Sequence, residues 1–138
     1  MPPRILIVED EPYVLEAYRA KLGRDGAFEV VTAECFEEVD LLIEEGKEPA
    51  FDAIAVDGCF PHAKGGDPYP APGRACNGEK LVLWLRGGRV GYRGPILACS
   101  SMPELNAKMV AAGATRAVVK GYGVCDALEA LFPPTSAD

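Results

Sequence analysis

The chain of 138 residues has the length of one ordinary domain, with room for a real hydrophobic core. Its 49% hydrophobic and 25% charged content excludes a disordered chain. A net charge of −7 and a pI near 4.7 exclude diffuse binding to nucleic acid, whose phosphates would be repelled.

Met1-Pro2-Pro3-Arg4 leads into Ile5-Leu6-Ile7-Val8, an apolar run too short for a signal-peptide core or a membrane span. A soluble, cytoplasmic protein without a membrane partner is therefore expected. Three more runs of this kind follow, at Ala53-Ile54-Ala55-Val56, Ile96-Leu97-Ala98-Cys99 and Ala117-Val118-Val119. Near-continuous apolar runs suit strands buried on both faces of a parallel sheet. Phe28 to Thr32 is β-branched but mixed, which fits an edge strand.

Helical patterns fall between the runs. Pro12 to Leu22 carries Val14, Leu15, Tyr18 and Leu22 at helical spacing, with Pro12 in a favourable first turn and Gly23 as a stop. Phe36, Val39, Leu42 and Ile43 form a second stripe, closed by Gly46. Leu81, Val82 and Leu85 form a third, after Asn77-Gly78. Pro103 to Ala112 gives a fourth, stopped by Gly113, and Val124 to Phe132 a fifth, halted by Pro133-Pro134. Five strand-then-helix repeats predict one α/β domain over 1–138, with a doubly wound five-stranded parallel sheet and helices on both faces. No segment for an output domain is expected after Pro133.

Two connections stand out. Residues 58–77 form a long insertion rich in proline and glycine, where such folds use about two to six residues. It holds His62, Asp67 and Cys76, with Cys59 at its start, in no compact transition-metal spacing, so a stiff surface loop beside the site, acting as a lid or partner contact, is expected. Arg86 to Pro95 is glycine- and arginine-rich, fits no phosphate-binding fingerprint, and precedes a strand, so a plain surface loop is expected there. Trp84 reads as packing. Cys35, Cys59, Cys76, Cys99 and Cys125 show no Cys-x-x-Cys pair, so reduced and mostly buried thiols are expected.

Ligands of open parallel sheets bind at the carboxyl ends of the strands. Glu9 and Asp10 follow the first run, Asp57 the Ala53–Val56 run, Ser100 and Ser101 the Ile96–Cys99 run, and Lys120 the last. Taken alone, Glu9-Asp10-Glu11 would also suit an acidic first helical turn. Clustered carboxylates repel, and a hard divalent cation such as Mg²⁺ relieves the repulsion through oxygen ligands. One carboxylate can attack phosphorus, and the transferred group then needs cation, ammonium and hydroxyl around its oxygens. Glu9 and Asp10 are the candidate metal ligands, Asp57 the nucleophile, Ser100 the hydroxyl and Lys120 the ammonium. A one-residue change of register would substitute Ser101 for Ser100.

This ordered set resembles the receiver domains of two-component response regulators. Val8-Glu9-Asp10-Glu11-Pro12 looks like their acidic turn, and Asp57-Gly58-Cys59-Phe60-Pro61 like their phosphoacceptor segment. Pro95 to Ser100 is similar to their fourth strand, and Gly113-Ala114-Thr115 through Lys120 to their fifth. The resemblance implies strand order 2-1-3-4-5 and Mg²⁺-dependent phosphotransfer to Asp57 from a sensor histidine kinase or phosphotransfer protein. It further implies that the Cys59 backbone carbonyl completes the metal site with Glu9, Asp10 and Asp57. The downstream protein target would meet the surface of the fourth helix, fifth strand and fifth helix.

Departures also matter. Gly121 stands where the family has a proline, often cis, and Ala117 where it has an aromatic switch residue. Cys59 and Met102 occupy positions that influence dephosphorylation and orient a hydrolytic water poorly, which implies slow loss of the phosphoryl group. Two other functions compete: a pseudo-receiver that binds partners without phosphorylation, and an aspartyl-nucleophile hydrolase. The second is disfavoured because Asp57-Gly58-Cys59 has no aspartate two residues on to serve as the acid.

Overall fold

A computed structural model describes residues 1–43 and 50–134. The first three apolar runs become strands, β1 at Arg4–Val8, β3 at Ala53–Val56 and β4 at Ile96–Ala98, and the mixed segment becomes β2 at Glu29–Ala33. The last run gives only Ala117 to β5 at Arg116–Ala117, both of whose residues are exposed where a buried strand is expected. All pair in parallel, in the order β2-β1-β3-β4-β5. The mixed segment is an edge strand, as its pattern implies.

Between the strands lie α1 at Pro12–Leu22, α2 at Phe36–Leu42, α3 at Asn77–Arg86, α4 at Pro103–Ala112 and α5 at Tyr122–Leu131. Prolines occupy the first turns of α1 and α4, where the missing N–H costs nothing. Gly113 ends α4 at φ 126°, a conformation closed to most side chains. Gly46 lies outside the described residues.

Because strand side chains alternate, neighbouring positions serve opposite layers. Leu6, Val8, Ile54, Val56, Ile96 and Ala98 pack under α2, α3 and α4 through Val39, Leu81, Leu85 and Met109. Ile5, Ile7, Ala53, Ala55 and Leu97 pack under α1 and α5 through Leu15, Tyr18, Val124 and Leu128. Trp84 does pack, with its ring 5.5 Å from that of Phe36. Among the described helices, none is long and apolar enough to cross a membrane.

The 86–95 connection is more than surface chain. Tyr92 is buried, and its hydroxyl donates to the Phe51 carbonyl at 3.1 Å. Arg86, the last residue of α3, donates to the carbonyls of Gly113, Tyr92 and Gly94 at 2.9, 2.9 and 2.7 Å. One guanidinium fork thus ties two loops at the pole away from the acidic cluster, which positions β4 and β5.

Candidate functional site

The carboxyl ends of the strands deliver Glu9, Asp10, Asp57, Ser100 and Lys120 to one pole. The Glu9 N–H donates to the Ala33 carbonyl at 3.0 Å, and the Asp57 N–H to the Val8 carbonyl at 3.0 Å, so both residues continue the sheet. Glu9, Asp57 and Ser100 are 2%, 6% and 7% exposed. Lys120 Nζ reaches Glu9 Oε1 at 2.7 Å and Asp57 Oδ2 at 3.4 Å, bridging two carboxylates with one ammonium. One oxygen each from Glu9, Asp10 and Asp57 lies within 4.8 Å of the others.

Glu11 is the N-cap residue of α1, but none of the three acids lies within its first turn. Glu9 Oε2 instead accepts from the N–H groups of Asp10 and Glu11 at 2.9 and 3.3 Å, which fixes the turn into α1. Gly58 donates to Asp57 Oδ1 at 2.8 Å.

Charge is unbalanced here, with three carboxylates facing one ammonium. Burial, and then the charge of Asp57, hold Glu9 above the usual carboxylate range. Burial also raises Asp57, against the opposing pull of Lys120. Asp10 is pushed up to about 6 by burial and by Glu9. Burial lowers the affinity of Lys120 for its proton, but Glu9 and Asp57 more than compensate and hold it above its ordinary value.

The oxygen-only donor set and its surplus negative charge fit a hard divalent cation. Glu9, Asp10 and Asp57 would hold such a cation through one oxygen each. A pH effect follows from the raised carboxyl. In EDTA, Asp10 favours the fold fully below about pH 4, and that contribution is lost as pH rises through about 6. Thermal unfolding in EDTA is expected to show the site's share of stability falling from pH 4 to 7, and Asp10→Asn should flatten that part of the profile.

Several supporting residues carry no signal in the sequence. Asn106 on α4 accepts from the Ser100 N–H at 2.8 Å and donates to the Ser100 carbonyl at 2.9 Å, clamping the backbone on both sides. Ser100 Oγ accepts from the Met102 N–H at 3.0 Å and keeps its own proton to donate. A Cβ at Gly58 would stand 2.7 Å from Ser100 Oγ, so glycine is what lets β3 and β4 ends approach. Gly121 adopts φ 87°, which proline cannot adopt, and its N–H donates to the Tyr18 hydroxyl at 2.9 Å. Lys120 reaches the cluster by this route. Ala117 leaves an open groove between α4 and α5 that also borders Ser101, Asn106 and Lys120.

Pro68 and Tyr69 of the long connection line a cavity of about 130 Å³ with Asp10, Asp57, Cys59, Ser100, Ser101, Met102 and Lys120. That is the volume of about four water molecules. His62 and Asp67 are committed elsewhere, His62 stacked on Phe36 at 5.5 Å and Asp67 accepting from the Tyr69 N–H at 2.9 Å. Among the described residues, the Glu9, Asp10 and Asp57 group is the cluster with metal-binding geometry.

No protein-family model and no curated protein matches the sequence. Solved structures do. A response regulator receiver domain protein (CheY-like) from Methanospirillum hungatei JF-1 is 22% identical, with TM-score 0.66 over 95% of this chain and 91% of its own. A LuxR-family two-component response regulator from Aurantimonas sp. SI85-9A1 is 24% identical, with TM-score 0.66 over 95% and 85%. The BeF3-activated N-terminal receiver domain of Klebsiella pneumoniae RstA is 25% identical, with TM-score 0.64 over 93% and 94%. The chain has the fold of response-regulator receiver domains.

Proposed function

We propose that this chain is a single receiver domain that accepts a phosphoryl group on Asp57 in a phosphorelay. The donor is a phosphohistidine on a sensor histidine kinase or phosphotransfer protein. An Asp57 carboxylate oxygen forms the new bond to phosphorus while the phosphorus–nitrogen bond breaks, and the imidazole leaves with that electron pair. Glu9, Asp10, Asp57 and the Cys59 carbonyl would hold Mg²⁺, which neutralises charge on the transferred oxygens. Lys120 supplies the ammonium and Ser100 the hydroxyl that bind those oxygens.

The observation that carries this reading is the bridge of Lys120 Nζ to Glu9 and Asp57 above three converging carboxylates. A half-buried lysine paired with one acid is ordinary structure. One shared between two acids, with a third alongside, is a preformed site for an anion and a cation together. The carbonyls flanking that of Cys59 are both occupied, Gly58 by the Gly78 N–H at 3.1 Å and Phe60 by Asn77 Nδ2 at 2.7 Å. This holds the Cys59 peptide in place at the cavity. The phosphorylated form signals by changing the surface of α4, β5 and α5, where a downstream protein docks. Cys59 and Met102 at the cavity supply no general base, so the phosphoryl group is lost slowly.

The reading is tested with Mg²⁺ and a small phosphodonor such as acetyl phosphate, followed by intact mass. One phosphoryl group per chain, labile to hydroxylamine and absent in EDTA, is expected. No adduct would move the chain to the interaction-only reading, and many turnovers to the hydrolase.

A further inference from the structure

Cys59 and Cys76 are 17 residues apart in sequence, yet their sulfur atoms stand 3.3 Å apart. We propose that they form a reversible disulfide that fastens the base of the long connection beside Asp57. The two backbone segments are already held against each other on both sides of Cys59. The Gly78 N–H donates to the Gly58 carbonyl at 3.1 Å, and Asn77 Nδ2 donates to the Phe60 carbonyl at 2.7 Å. The cysteines therefore meet because the start of α3 is bound to the end of β3, whatever the rest of the connection does. A disulfide bond is about 2.05 Å long, so closure requires the sulfurs to approach by just over 1 Å.

Access separates this pair from the other thiols. Cys59 and Cys76 are half-buried, whereas Cys35, Cys99 and Cys125 are buried in the core. A small oxidant reaches the first two more readily than the other three. The oxidant is a low-molecular-weight disulfide. One protein thiolate attacks it, releasing one small thiol and leaving a mixed disulfide. The second cysteine then attacks the protein-side sulfur and releases the other small thiol. The protein loses two hydrogens and two electrons, and the small disulfide gains them. The bond closes a segment rich in proline and glycine, and it ties the rim of the Asp57 cavity, which Cys59 also lines.

The proposal does not depend on phosphorylation of Asp57. It is tested by equilibrating the folded chain in buffers of reduced and oxidised glutathione, then trapping thiols and measuring mass. The expected product has lost two hydrogens, carries a peptide joining Cys59 to Cys76, and exposes three thiols on denaturation. Its Tm should rise by on the order of 10 °C, reversed by reductant. Asp57→Asn should form the same bond, whereas Cys59→Ser should stop at a glutathione adduct on Cys76, because burial pushes the Cys59 thiol up to about 12 and leaves Cys76 to attack first. Wild-type protein that accumulates glutathione adducts, links other cysteines, or keeps five free thiols would overturn the proposal.

Discussion

Asp57→Asn and Lys120→Ala are expected to damage the site in opposite ways. With Asp57 as the proposed nucleophile, Asp57→Asn should form no adduct with acetyl phosphate at any Mg²⁺ concentration. As Asp57 is also a proposed metal donor, Mg²⁺ binding should weaken. Lys120→Ala leaves the nucleophile but removes the ammonium 2.7 Å from Glu9 and 3.4 Å from Asp57. The transferred oxygens lose a preorganised cation, and the rate of adduct formation should fall by roughly 100-fold or more. Glu9 and Asp57 lose the ammonium that pairs with both at the same time, so a divalent cation meets less competition and should bind more tightly. Rates from intact mass and affinities from calorimetry give the two signs separately. If Lys120→Ala weakened the metal as well, the lysine would be holding the site's shape rather than supplying charge.

Gly78→Val is expected to cost about 3 kcal/mol or more, and on the order of 10 °C in Tm, although residue 78 contributes no side chain to the site. A Cβ at Gly78 falls less than 3 Å from the Asp57 carbonyl oxygen, Gly58 Cα and the Gly58 carbonyl oxygen. All three are backbone atoms, so no rotamer change relieves the clash. The start of α3 must move away from the end of β3, breaking the Gly78-to-Gly58 hydrogen bond and releasing the peptide that presents Asp57. Phosphoryl acceptance should fall with stability. Gly88→Ala is the control, because a Cβ there meets nothing within 4 Å, and its Tm should stay close to that of the wild type. Differential scanning calorimetry of the two variants decides the comparison.

Where the pattern and the punctuation agree, sequence and structure coincide. Pro12–Leu22 and Pro103–Ala112 are helices with the expected bounds, since proline and glycine set both ends. Ala53–Val56 is a strand with the expected bounds because all four residues are buried on both faces of the sheet. The last strand is different. The apolar run Ala117–Val119 suggests its position, but the strand is Arg116–Ala117 and Val119 is 66% exposed. Its register is set by Thr115 and Val118 donating to the Ile96 and Ala98 carbonyls, and such pairing is invisible in the apolar pattern.

The site shows the same division. Glu9, Asp10, Asp57, Ser100 and Lys120 were legible because each follows an apolar run, and parallel strands bring such positions together. Asn106, Gly58, Gly78 and the contact of Cys59 with Cys76 were not. Gly58, Gly78 and the two cysteines matter through neighbours distant in the chain, and Asn106 through a turn six residues long, and neither composition nor apolar spacing encodes either. Gly121 illustrates the limit: it looks like a loss of the fixed turn before α5, whereas its positive φ and its bond to Tyr18 supply a different fixed turn.

The proposed function requires five side chains to form one pocket for a phosphoryl group and a divalent cation. A crystal structure with Mn²⁺ and beryllofluoride, a mimic of the bound phosphoryl group, would show whether they do. Anomalous density is expected among Glu9, Asp10, Asp57 and the Cys59 carbonyl, with beryllofluoride on Asp57 contacting Ser100 Oγ and Lys120 Nζ. A bare Asp57 with Lys120 still paired to Glu9, at saturating concentrations of both, would contradict it.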